Sequence, residues 1–399
     1  MILTPRREPD RVSFYQLIRD RIWTSVSSSE SLPISKCVVQ SIEKRYELQK
    51  HTGCVNTIAW NETGTKLVSG SDDRSIVIWG GEPLEVLLSV PTGHRNNVFC
   101  ASFVANCCDL YMVTSAADGC AHLLDVENGR QKKLYDADGG GFCFKHVMEA
   151  NNPSQTGLVT ISDGNVVRFD LRGIRAYSVV NIRQDLNLRQ LSMGRFTAPP
   201  SGTAIEFNPI MPNVVALGTS TKAVLLFDVR KFSTCLAKVV PEFTQISPDP
   251  SPGETEAVSG LAWDRRNRLI VNYCRQSVVE MDFSMIQCKG NDPVLYRVGS
   301  TCEIPRQWTG RVNHQTFLKE VALFGNSNYV VTGGDCGNIF IWERFGNQKL
   351  IVKQAADPHV LNCVAPHPFI PIIASSGIAS FVSIWNPSFR GRLENEDES

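Results

Sequence analysis

Residues 51–79 read HTGCVNTIAWNETGTKLVSGSDDRSIVIW, and three short apolar runs in them are separated by turn residues. Val55, Ile58 and Trp60 form the first run, Leu67 and Val68 the second, Ile76, Val77 and Ile78 the third. Asn61-Glu62-Thr63-Gly64 and Ser71-Asp72-Asp73 interrupt them. Short runs rich in Val, Ile and Trp, bounded by Asn, Asp, Gly and Ser, predict three antiparallel strands. Such a ribbon cannot bury both faces by itself, so the stretch calls for copies of itself along the chain.

The copies are found by following the large apolar residue that closes the third run. It recurs as Trp79, Leu124, Phe169, Phe227, Met281, Trp342 and Trp385, at gaps of 45, 45, 58, 54, 61 and 43 residues. The shorter gaps match the ~40–45 residues of a four-stranded propeller blade. The longer ones measure insertions at about 183–201, 241–256 and 287–313, each expected between a fourth strand and the next blade's first strand. Asp73, Asp118 and Asp163 stand six positions before their anchors, and His51 and His94 each precede a Val by four. Seven repeats predict an all-β chain, a seven-bladed β-propeller over 36–387. A strand at Arg45–Leu48 is expected to pair with the one ending at Trp385, because a ring closed by its two ends leaves no long strand edge.

Composition narrows the function classes. The 399 residues are 42% hydrophobic and 20% charged with a net charge of zero, which speaks against a generic nucleic-acid or membrane-surface binder. The 13 cysteines include no CxxC pair, and several sit inside apolar runs, as expected of free thiols in a reducing compartment. No apolar run has membrane-spanning length, and MILTPRREPDR lacks the apolar core of a secretory signal. Residues 1–35 form an N-terminal extension, and the acidic tail 388–399 is expected to be disordered. Within the extension, SFYQLIRDRIW opens on a capping box, and Val12, Tyr15, Ile18 and Ile22 fall on one face of a predicted helix at about 12–23.

Catalytic signatures are missing: there is no GxSxG, GxxxxGK, HExxH or helix-opening GxGxxG. No catalytic residue, metal site or cofactor is expected. His51 beside Asp73 reads as a structural hydrogen bond repeated with the blades. An enzyme would need convergent titratable groups in the propeller channel, and no motif announces them. Asp170-Leu171-Arg172 and, one blade on, Asp228-Val229-Arg230 place Asp and Arg just past the third strand. Arginine's planar fork of five donors suits a partner's carboxylates and carbonyls.

These features resemble the WD-repeat family. In that family His, Ser, Asp and Trp form a network within a blade; His51, Ser69, Asp73 and Trp79 match it, and His94, Thr114 and Asp118 match it in part, with Leu124 in place of Trp. Thr221 and Arg275 replace the Asp elsewhere, and Gly139 stands near the expected third-blade His. The paired Asp-x-Arg boxes resemble those of substrate receptors of cullin-4 RING ubiquitin ligases, in the branch containing the WD-and-tetratricopeptide-repeat protein. SGSDD at 69–73, GGDCGNIFIWE at 333–343 and LNCVAPHPFIPIIASSG at 361–377 agree with that branch, although no tetratricopeptide segment follows. The resemblance implies a non-enzymatic receptor that docks on the damaged-DNA-binding adaptor. Asp170, Arg172, Asp228, Arg230 and the helix face Val12, Tyr15, Ile18 and Ile22 would make that contact. It implies an unidentified protein substrate, no direct nucleic acid or membrane contact, and a place in nucleus and cytoplasm. The alternative is a WD-repeat scaffold of another complex with no ligase role.

Overall fold

The computed structural model describes residues 34–388 apart from 82, 140, 150–154, 174, 185–199, 242–255, 276, 284–293, 299–305 and 317–318. Its strands form seven antiparallel blades, each counted here from an inner first strand to an outer fourth. Blade 1 shows the pattern, with Val55–Trp60, Lys66–Ser71, Ser75–Gly80 and Val86–Pro91 paired in order. The third strands carry the anchors Trp79, Leu124, Phe169, Phe227, Met281, Trp342 and Trp385, each at most 5% exposed. They are buried because every blade packs both faces against neighbours; Trp385, for instance, shares a core with Val331, Ile341 and Ile373 of blades 6 and 7. Buried runs such as VSGLAW at Val258–Trp263 therefore replace strict apolar–polar alternation.

Blade 7 closes the ring. Its first three strands are Leu361–Pro366, Ile373–Gly377 and Phe381–Pro387, and its outer strand is the N-terminal Ile42–Gln49. Ile42 lies opposite Pro387, Lys44 opposite Trp385 and Gln49 opposite Phe381. Just before this strand the buried Val39 belongs to a five-residue helix, Lys36–Gln40. Ser35 caps the helix by accepting the Val38 N–H.

Antiparallel connection assigns every loop to one of two faces of the disc. First-to-second and third-to-fourth turns share face I; second-to-third turns and the links between blades share face II. The chain leaves the fourth strands of blades 3 and 4 at face II and re-enters at Gly202–Phe207 and Val258–Trp263. The third insertion differs from the expectation. Gln307–Trp308, not foreseen as a strand, is the outer strand of blade 5, so residues 284–306 join third to fourth strand and depart from face I. Within that stretch Val294–Val298 adds a fifth strand to blade 4, parallel to Lys231–Pro241. A strand of two residues has too little pattern to be read from sequence.

Candidate functional site

The turns after the third strands of blades 3 and 4 project Arg172 and Arg230 from face I, with side chains 61% and 69% exposed. Each turn is closed on itself. Arg172 donates from Nε and Nη2 to Asp170, the latter at 2.6 Å, and Asp170 also accepts the Arg172 backbone N–H. Arg230 and Asp228 repeat this geometry, again with an Nη2–carboxylate distance of 2.6 Å. The arginine hydrogen bonds hold both carboxyls below the usual range. The two guanidinium groups are thus oriented by their own turns and keep Nη1 for a partner. Arg172 and Arg230 are not joined to one another; they are two matched, separate knobs.

Two further features of face I have no counterpart in the sequence motifs. Ile210 and Met211, in the first-to-second turn of blade 4, are 53% and 39% exposed beside the Arg230 turn. Residue 34 also enters the structure on this face. The Tyr329 hydroxyl donates to the Ile34 carbonyl at 3.3 Å, and Lys36 pairs with Glu343 at 3.3 Å. Val12, Tyr15, Ile18 and Ile22 lie outside the described residues.

On face II the blade networks are visible. The Trp79 indole N–H donates to Ser69 Oγ at 2.9 Å, Ser69 lies 2.8 Å from His51 Nε2, and His51 Nδ1 lies 2.9 Å from Asp73. With Asp73 ionised, His51 donates through Nδ1 and accepts the serine proton at Nε2. Burial alone would raise the Asp73 carboxyl. Hydrogen bonds from Ser75, the Thr52 and Ser75 N–H groups and His51 bring it below its ordinary value. In blade 2 His94 lies 3.1 Å from Asp118 and 3.0 Å from Thr114. Blade 4 substitutes a hydroxyl pair, Thr219 and Thr221 at 2.7 Å, and blade 6 a buried Lys319–Asp335 pair.

The channel holds a cluster that sequence reading missed. A cavity of about 270 Å³ is lined by inner strands of all seven blades, among them residues Phe99, Phe144, Lys145, Glu206, Glu320 and Cys363. Lys145 of blade 3 reaches across to Glu320 of blade 6 and pairs with it. Burial would lower the Lys145 ammonium, but the Glu320 carboxylate more than offsets this and holds it above the lysine range. Burial pushes the Glu206 carboxyl up to about 8, with partial relief from Lys145 and the Trp263 N–H. The expectation that the channel lacks convergent titratable groups is thereby corrected: they come from separate blades, 61 to 175 residues apart, and share no motif. Nucleophilic chemistry is disfavoured, since burial raises the Cys100 and Cys363 thiols.

Beneath the cluster His146 is 3% exposed, between the hydroxyls of Ser102 at 2.9 Å and Ser115 at 2.8 Å. Burial, helped by Lys145, pushes its imidazole down to about 3, and burial takes His367 down to about 4. Unfolded histidine takes up a proton near pH ~6.5 while these stay neutral in the fold, so the unfolded state gains stability as pH falls from there. Stability is expected to drop between about pH 6.5 and 4, by up to roughly 1.4 kcal/mol per unit for each histidine. Urea midpoints across that range should fall for the wild type and less steeply for His146→Gln. Parallel curves would exclude His146 as a source of the acid sensitivity.

The profile described as "WD domain, G-beta repeat" matches residues 42–80. Over 88 residues, 22% of this chain, the sequence is 46% identical to DDB1- and CUL4-associated factor 6 of Homo sapiens. It is 32% identical over 184 residues, 46% of the chain, to WD and tetratricopeptide repeats protein 1 of Homo sapiens. To Protein ALTERED SEED GERMINATION 2 of Arabidopsis thaliana it is 41% identical over 213 residues, 48% of the chain. The matched segments span 10%, 26% and 28% of those relatives' own lengths. Propellers of this kind are typically non-catalytic scaffolds. Seven blades around a channel and the His–Asp–Ser–Trp network of the first together identify the chain as a seven-bladed β-propeller of WD40 repeats, homologous over part of its length to these proteins.

Proposed function

We propose that this chain is a non-catalytic substrate receptor of a cullin-4 RING ubiquitin ligase, docking through face I on the damaged-DNA-binding adaptor. One relative is named for association with DDB1 and CUL4, and the carry-over to this chain rests on face I itself. The carrying observation is that Arg172 and Arg230, pre-oriented and exposed, project from the face at which residue 34 enters the propeller. The N-terminal residues, with Val12, Tyr15, Ile18 and Ile22 on one helical face, then reach the adaptor from that side as a helix-in-groove anchor. Face II, where blades 3 to 5 are linked through residues 185–199 and 242–255, is left for a protein substrate. The receptor contributes proximity between a substrate lysine and the ligase-bound ubiquitin donor, and no bond making of its own. A protein with this role works in nucleus and cytoplasm.

Arginines at interface centres are often hot spots, so Arg172→Ala with Arg230→Ala is expected to weaken adaptor binding about thirtyfold. Titration calorimetry with purified adaptor measures it. Removing residues 1–33 is expected to abolish the association while leaving a folded propeller. Unchanged affinity in both variants would favour a scaffold of some other complex.

A further inference from the structure

The first strand of each blade starts at face II and lines the channel, so that face looks down on the Lys145–Glu320 pair. Phe142, just before blade 3's first strand, is 47% exposed and meets Phe144 edge-on at 6.3 Å. Phe144 in turn stacks on Phe99 of blade 2, also at 6.3 Å. An aromatic shelf therefore leads from the open face to the cavity. At its foot Lys145 and Glu320 keep 34% and 24% of their side-chain surface open. Glu206, fifth residue of blade 4's first strand, lies deeper along the same wall.

The charges there do not balance once both carboxyls ionise. Lys145 is committed to Glu320, and Glu206 receives a backbone N–H from Trp263. One further positive charge would make the channel neutral. A cavity of about 270 Å³ falls below the ~300–1,000 Å³ usual for small-molecule pockets and suits a single long side chain. The shelf outside it offers a surface for the chain that carries that side chain. We propose that the channel, entered from face II, binds a lysine or arginine side chain on an extended segment of a partner protein, with the cation between Glu206 and Glu320 and its stem on Phe144 and Phe99. A cation over an aromatic face and against a desolvated carboxylate gains from both contacts. The site lies opposite the proposed adaptor face and does not depend on the ligase reading.

A proton signature follows. The Glu206 carboxyl, held up to about 8, gives up its proton as the cation arrives. The other groups facing the cavity do not change charge near neutrality: His146 is pushed far down, Cys100 and Cys363 are pushed up, and Lys145 is held charged. Affinity is therefore expected to rise between about pH 6.5 and 8.5 as the proton to be displaced becomes easier to lose.

The test uses fluorescein-labelled peptides of glycine, serine and alanine with one central arginine, lysine or glutamine, and free arginine amide as a separate arm. Anisotropy with the full chain is expected to show the cationic peptides binding at least about tenfold tighter than the glutamine peptide, and tighter than arginine amide. Glu206→Gln should erase that preference and its pH dependence. The variant should also melt no lower than wild type at pH ~8, because a carboxyl raised in the fold costs stability above its unfolded value of ~4.3. Lys145→Gln with Glu320→Gln is a second variant, expected to weaken the preference. Equal binding of all three peptides, no binding, or an undiminished cation preference in folded Glu206→Gln would overturn the proposal. Arginine amide binding as tightly as the peptide would overturn the assignment to a protein segment.

Discussion

A chain beginning at Lys50 is expected to give no stable monomeric propeller, whereas one beginning at Ile34 should fold like the full chain. The difference is the strand Ile42–Gln49. Without it, Phe381–Pro387 becomes an exposed edge, and Val382, Ile384 and Trp385, all at 0% exposure, lose their cover. Ile42 and Leu48 are buried to 1% and 7% exposure, and each contributes roughly 1.5–3 kcal/mol by leaving water. Those two side chains alone amount to a large part of the ~5–15 kcal/mol that holds a domain together. The bare edge would also recruit other chains. Size exclusion and a thermal melt decide it: a monomer from Lys50 with the full chain's midpoint would mean that blade 7 is closed by something else.

That strand was also the most legible long-range contact, and the reason is physical. Ring closure follows from counting blades and asking what covers the last edge, so Arg45–Leu48 could be paired with Trp385 without knowing any side-chain contact. The seven anchors were legible because bulky residues ending in a turn repeat at near-constant spacing. By contrast, the Lys145–Glu320 pair arises only when the ring brings blades 3 and 6 face to face across its axis. Inner-strand residues facing that axis are hidden within near-continuous apolar runs. Lys319 in place of a blade histidine was missed for a related reason. It donates to Asp335 from a position just before the first strand, and no repeat spacing singles it out. Gln307–Trp308 was lost because an insertion separates it from the rest of its blade. On face I, the Asp-x-Arg boxes stood out by their repetition, and Ile210–Met211 did not, since a single apolar pair in a turn carries no period.

Arg344→Met is expected to destabilise the propeller by about 3–5 kcal/mol, the usual result of stranding a buried charge. Arg344 follows the third strand of blade 6 and is 0% exposed, yet its two carboxylate partners belong to blade 5. Its Nη2 donates to Asp264 at 2.6 Å and its Nε to Glu280 at 2.7 Å; Nη1 reaches the Ser327 carbonyl at 3.1 Å. Methionine approximates the length of the stem and removes the cation. Glu280 keeps Arg306 at 2.7 Å, but Asp264 is left with only the backbone N–H groups of Arg266 and Arg268 among its described donors. Most of the cost therefore falls on Asp264, and neutralising that residue should recover it. The double variant Arg344→Met, Asp264→Asn is expected to be more stable than the single one, and urea denaturation of all four members of the cycle measures the coupling. A single variant within about 1 kcal/mol of wild type would mean that blades 5 and 6 are held by their shared apolar core of Ile270, Val330 and Trp342, with the ion cluster contributing little net stability.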